Sequence, residues 1–326
     1  MEHSDPQLRK PESRIFMRAL PVLPVLAAML TLAGCDIDDF DGGWQHFSRD
    51  FHYSYPCAPG SRISVETFNG SVDVSSWDEN SVEIDGTKYG PTQAAADSLR
   101  IDIDRSAGSV SVRAVRPVER RNNQGARFVI KIPRVAVLER IIASNGAIHT
   151  IDGAGPSHFR TSNGSVRVER LHGRLDAETS NGPIDLVDLE GDAQLRTSNG
   201  HVDVRGLRGS LDATTSNGGI TAKIDRSPSD VRATTNNGSI DLELPADFAA
   251  GIRAHTSNSS ITVHLPLNTN AHVIASTNND SISSEFEMTV HGEISKTHLE
   301  GDVGKGGPLV DLDTSNGGIR ILKGAR

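Results

Sequence analysis

Aromatic residues make up only 4% of this 326-residue chain, and tryptophan occurs twice. That scarcity argues against a sugar-binding cleft, which stacks its ligand on aromatic platforms. Cysteine also occurs only twice, at Cys35 and Cys57. Neither a disulfide framework nor a Cys-x-x-Cys metal site can be built from that pair. Basic charge is not in excess, with 33 Lys and Arg against 42 Asp and Glu. A net charge of −9 argues against nucleic acid as the main partner, because phosphate recognition needs a basic face. No hydrophobic run reaches the roughly 20 residues that a membrane-spanning helix needs. Phosphate loops, His-Glu-x-x-His and Gly-x-Ser-x-Gly elbows are missing as well. What remains is a chain with 31 glycines and many Asn and Ser residues. Such a chain is suited to an all-β fold with many tight turns.

The longest apolar stretch runs from Ala19 to Leu32, behind Arg14 and Arg18. A basic segment, a short apolar stretch and small residues make a secretory signal. The stretch ends Leu32-Ala33-Gly34-Cys35 and resembles the lipobox of bacterial lipoproteins. That resemblance implies cleavage behind Gly34 and lipidation of Cys35, with a palmitate-type acyl chain as membrane anchor. Met1 and Met17 are both available as starts. Loss of the leader removes four basic and three acidic residues and takes the formal charge from −9 to −10. In an oxidising compartment Cys57, without a partner, is expected to be a free thiol.

The rest of the chain is organised by repetition. Ser144-Asn145-Gly146 recurs at 162–164, 180–182, 198–200 and 216–218, always 18 residues apart. Asn236-Asn237-Gly238, Ser257-Asn258-Ser259 and Asn278-Asn279-Asp280 continue the series at intervals of 20, 21 and 21, and Ser315-Asn316-Gly317 returns 37 residues later. An interval of 37 reads as two turns, one of them degenerate. Two residues after each glycine position stands Ile148, Val166, Ile184, Val202, Ile220, Ile240, Ile261, Ile282 or Ile319. The alternation that follows is that of a half-buried strand.

A repeat this short cannot bury its own apolar side, so copies must stack. The expected fold is therefore all-β, a parallel β-solenoid of 18–21-residue coils with a β-rich N-terminal cap. About ten coils at the strand spacing of ~4.8 Å give a rise of ~48 Å. A β-sandwich of hairpins with Asn-Gly turns is the alternative. Equal phase in every copy favours stacking. The expected organisation is a signal peptide at 1–34, a lipidated tether at 35–59, a cap at 60–142 and the solenoid at 143–326. Within the cap, 92–99 reads as a short helix.

The turn residues Asn145, Gly146, Asn163, Gly164, Asn181, Gly182, Asn199, Gly200, Asn217, Gly218, Asn237, Gly238, Asn316 and Gly317 are expected to form a structural ladder. Positive φ at the corners explains the residue types, and stacked amides can hydrogen-bond along the stack. No catalytic, cofactor-binding or metal-binding residue is expected. His149, His158, His172 and His201 fall at four different repeat phases. Asp185 and Asp203 share one phase, but with Arg167 and Thr221 beside them they read as a solvated stripe.

The Thr/Ser-Asn-Gly-x-Ile-x-Val repeats, Lys131-Ile132-Pro133-Arg134 and the ending Thr314-Ser315-Asn316-Gly317-Gly318-Ile319 together resemble a bacterial β-strand-repeat family. It consists of adhesin-like domains of unknown function often found on lipoproteins. Across residues 60–326 the resemblance implies a β-solenoid at the cell envelope, and it carries over no catalytic residue. The functional expectation is a non-enzymatic envelope lipoprotein, anchored through Cys35, with an envelope polysaccharide or protein as partner. A periplasmic sensing or scaffold module and a carbohydrate-active β-helix enzyme are the alternatives. No cofactor is expected.

Overall fold

The computed structural model describes residues 47–106, 108–117, 123–226, 230–292 and 295–324, all within one unit spanning Trp44–Arg326. The leader and Cys35 lie outside the described residues. Among the described residues twenty-seven strands form two sheets, of 13 and 14 strands, and one segment is helical. Eleven successive strands in each sheet pair in parallel, one from each sheet per coil. That makes the fold a β-solenoid and sets the sandwich aside. Among the described residues antiparallel pairing occurs only at the two ends.

The core explains why these residues stack. Ile148, Val166, Ile184, Val202, Ile220, Ile240 and Ile261 stand directly over one another along one sheet, and each is at most 1% exposed. Facing them on the other sheet is a column of mixed size, Phe159, Ala177, Leu195, Ala213, Ala233 and Ala254. Large and small residues alternate from Phe159 to Ala213 and alanine alone follows, and both columns belong to one buried core. Each fully buried Ile, Val or Leu contributes about 1.5–3 kcal/mol, summed along the stack rather than around one centre.

The stack takes in more of the chain than residues 143–326. Arg62–Thr67 and Val72–Trp77 form a coil against Val137–Ala143 and Ile148–Ala154. Ser109–Val115 and Gly125–Pro133 form the next coil outward. Beyond that lie antiparallel strands: Ser81–Gly90 and Phe47–Pro56 on one sheet, Arg100–Ser106 on the other. Phe47–Pro56 falls inside the expected tether, yet its ten residues all pair with Ser81–Gly90. Phe51, Tyr53 and Tyr55 alternate along it and pack against the core. Gln93–Ser98 is helical, with the Thr92 hydroxyl accepting a hydrogen bond from the Ala95 amide as an N-cap does. Cys57 is buried and unpaired.

The far end departs from chain order in a similar way. Leu309–Thr314 and Ile319–Lys323 do not follow Ala271–Thr277 and Ile282–Ser284 as an outer coil. They lie between that coil and the one formed by Gly251–Thr256 and Ile261–Leu265. The 37-residue interval is therefore an overpass. The chain skips one level, turns back through the hairpin of Met288–Val290 and His298–Val303, and fills the gap with its last strands.

Candidate functional site

The Asn-Gly corner of the stack is held by three side-chain or backbone features in register. The amide Nδ2 of Asn163 donates to Asn145 Oδ1 at 2.5 Å, and Asn181, Asn199, Asn217 and Asn237 repeat this at 2.6–2.8 Å. Asn258 continues to Asn237, Asn316 to Asn258 and Asn279 to Asn316, which is the stacking order and not the chain order. Behind them the buried hydroxyls of Thr161, Thr179, Thr197, Thr215, Thr235 and Thr256 donate to the carbonyl of the neighbouring coil's corner glycine at 2.8–2.9 Å.

The glycines have a different reason from the expected one. None of Gly146, Gly164, Gly182, Gly200, Gly218, Gly238 and Gly317 takes a positive φ. Instead a Cβ at Gly182 would lie 2.0 Å from the Gly164 carbonyl oxygen, and one at Gly200 only 1.9 Å from that of Gly182. Close approach of stacked backbones leaves no room for a Cβ at these glycines. Left-handed φ falls at another phase, on Asp152, Arg170, Asp188 and Gly206. At that corner the Arg170 guanidinium holds Asp152 at 2.6 Å and keeps its carboxyl below the usual carboxylate range.

The outward faces are columns of mixed charge. Asp73, His149, Arg167, Asp185, Asp203, Thr221 and Asp241 occupy one column. Asp203 is engaged by Arg205 at 2.6 Å, and Arg167 by Glu169 at 2.7 Å. Glu169 is thereby held below its ordinary range, chiefly by the Arg167 hydrogen bond. A second carboxylate, Glu190, is lowered first by Arg208 and then by His172. On the opposite sheet an open groove of about 320 Å³ lies between Arg174, Asp192, Gln194, Asp212 and Arg232. His158 stands on this sheet against Asp176, whereas His149, His172 and His201 contact other carboxylates along the first sheet.

Two clusters could hold a metal. His52, Glu83 and Asp85 meet on the outer N-terminal strands, where Lys131 Nζ already lies 3.1 Å from Glu83. The other is His272, His291 and Asp302. His272 Nδ1 is 2.8 Å from Asp302 Oδ1, and His291 Nε2 is 2.7 Å from Asp302 Oδ2. These two hydrogen bonds, His291's the larger, hold the Asp302 carboxyl below its ordinary range. Sequence reading missed both clusters. A His-x18-His-x10-Asp spacing matches no metal signature, and only the out-of-order pairing at the end of the stack brings the three together.

With this geometry established, comparison with known proteins places the chain. The model of the Toastrack DUF4097 family matches residues 61–322. The chain belongs to that family. This Toastrack chain is similar to several solved structures that differ greatly from it in sequence. A putative cell adhesion protein from Clostridium sporogenes is 11% identical at a TM-score of 0.24, covering 84% of this chain and all of its own. A putative adhesin from Bacteroides fragilis is 13% identical at 0.35, and one from Parabacteroides distasonis 11% at 0.27. Each of these two covers 84% of this chain and 97% of its own. No curated protein matches. Among the described residues no helix is long and apolar enough to cross a membrane.

Proposed function

We propose that this Toastrack chain is a non-enzymatic cell-envelope lipoprotein, anchored through Cys35, whose rigid stack presents its outer faces for adhesion or envelope contacts. The observation that supports it most is the character of those faces. Across the parallel coils, outward positions form columns in which opposite charges meet, such as Arg208 with Glu190 and Lys223 with Glu243. Solvated columns of this kind spread over a long surface suit a polyvalent polar partner, either an envelope polysaccharide or a protein, better than a single substrate pocket. The Leu32-Ala33-Gly34-Cys35 sequence supports export and anchoring.

The test is two-part. Cys35→Ser is expected to move the protein from the detergent phase to the aqueous phase; continued detergent partition contradicts the anchor. Protease added to intact cells is expected to remove the stack if it faces outward. Survival until the cells are permeabilised would replace the adhesion reading with that of a periplasmic scaffold or sensing module.

A further inference from the structure

We propose that His272, His291 and Asp302 form a binding site for a divalent first-row transition ion such as zinc, which pins the terminal hairpin onto the C-terminal end of the stack. The inference stands independently of the envelope reading.

Three neighbouring strands converge here. His272 lies on Ala271–Thr277 and pairs directly across from Asp302 on His298–Val303. His291 immediately follows Met288–Val290, and its amide donates to the Glu300 carbonyl at 2.9 Å. Alternation along the strands turns His272, Glu300 and Asp302 to the same outer face. Two imidazole nitrogens and a carboxylate oxygen all lie within 4.8 Å of one another. Zinc binds imidazole nitrogen and carboxylate oxygen at about 2.0–2.2 Å, so side-chain shifts of roughly an ångström would close the three atoms around an ion. Two nitrogen donors favour a borderline transition ion over calcium or magnesium, which take oxygen.

A supporting group is also in place. His272 presents Nδ1 to Asp302 while its Nε2 lies 3.7 Å from Glu300 Oε1. A ligating histidine commonly donates its other N–H to a carboxylate, which fixes the ring and raises its basicity. Glu300 is positioned for that role, and a water can complete the coordination. The rival cluster at His52 is weaker, because Lys131 sits on Glu83 and competes with any cation.

The location gives the ion a task. Met288–Val290 is three residues long and is the outermost strand of its sheet. Short edge strands have few bonds of their own, and an open solenoid end needs closing. An ion bridging all three strands stabilises the closed end by binding the folded form only.

The experiment uses the full-length chain in detergent, stripped with chelator and titrated with zinc chloride by calorimetry. Cobalt uptake is followed by visible absorption. One equivalent of zinc and a raised melting temperature are expected. His291→Ala and Asp302→Asn should each weaken uptake by more than about 100-fold, and Glu300→Gln by about tenfold. His255→Ala, which removes a comparable His–Asp pair elsewhere, should leave uptake unchanged. Circular dichroism establishes that the variants fold, and the exposed His291 position makes His291→Ala the decisive one. No saturable uptake at about a tenfold excess of zinc over protein, or uptake undiminished in His291→Ala, would overturn the proposal.

Discussion

Between Ser162 and Asn217 the chain repeats itself, and at its two ends it does not. In the middle, each 18-residue coil meets neighbours of the same pattern above and below, so Asn pairs with Asn, Thr hydroxyl with glycine carbonyl, and apolar residue with apolar residue. At the ends the chain skips a level, reverses into antiparallel strands, and brings unlike residues together. Regularity and chemistry are therefore separated in space. The middle is built for uniform stability, while among the described residues both clusters of mixed ligating groups lie at the ends, where order is broken.

The comparison is broken most sharply by glycine substitution. Gly182→Ala places a methyl against a backbone carbonyl that cannot yield, because its own coil is fixed from the other side. A loss of about 3 kcal/mol is expected in denaturant melts. Gly251→Ala, in a wider coil where the nearest atom to a new Cβ is 3.5 Å away, should change stability by no more than about 0.5 kcal/mol. Similar losses at both sites would remove close approach as the reason for the corner glycines.

The buried hydroxyls test the same contrast at smaller scale. Thr197→Val keeps the shape and removes the donor to the Gly182 carbonyl, at a cost of about 1–2 kcal/mol. Thr277→Val removes the equivalent bond to Gly317 on an outer coil. It should cost less, since end coils open locally before the middle does. Native-state hydrogen exchange of the two variants distinguishes them, and equal costs would mean that the ends are as tightly held as the centre.

Most of the middle was legible in the sequence, because a fixed interval of 18 residues leaves only vertical stacking as a way to bury Ile184, Val202 and their counterparts. The reason for the glycines was not. Asn-Gly reads as a positive-φ corner on local chemistry, whereas the backbone contact that requires Gly182 comes from a residue 18 positions away. The ends were illegible for a related reason. An interval of 37 residues is compatible with two coils in sequence, and nothing local to Ser315-Asn316-Gly317 shows that it inserts behind Asn279. His272, His291 and Asp302 have no repeat partners, so periodicity could not connect them.

Acid provides the smallest effect. The Asp152, Glu169 and Glu190 carboxyls are lowered in the folded chain, first by Arg170, Arg167 and Arg208 respectively. A carboxyl lowered on folding adds stability that is fully present above its unfolded value, about 3.9–4.3, and is lost as pH falls through its folded value. Melting temperature should be level from neutral pH to about 5 and decline below about 4. Salt should weaken the effect because these pairs are exposed. A decline beginning near neutral pH would mean that these three carboxyls do not set the acid limit.

The central claim is that the middle coils are interchangeable units, and deletion tests it most directly. Removing residues 165–182 joins Gly164 to Pro183 in phase and lets Asn199 stack on Asn163. Removing residues 174–182 takes out half a coil and inverts the phase of everything that follows. Thermal melts should show one cooperative transition, little shifted, for the 18-residue deletion, and a loss of cooperative folding for the nine-residue deletion. Equal destabilisation by the two would contradict a stack of equivalent coils.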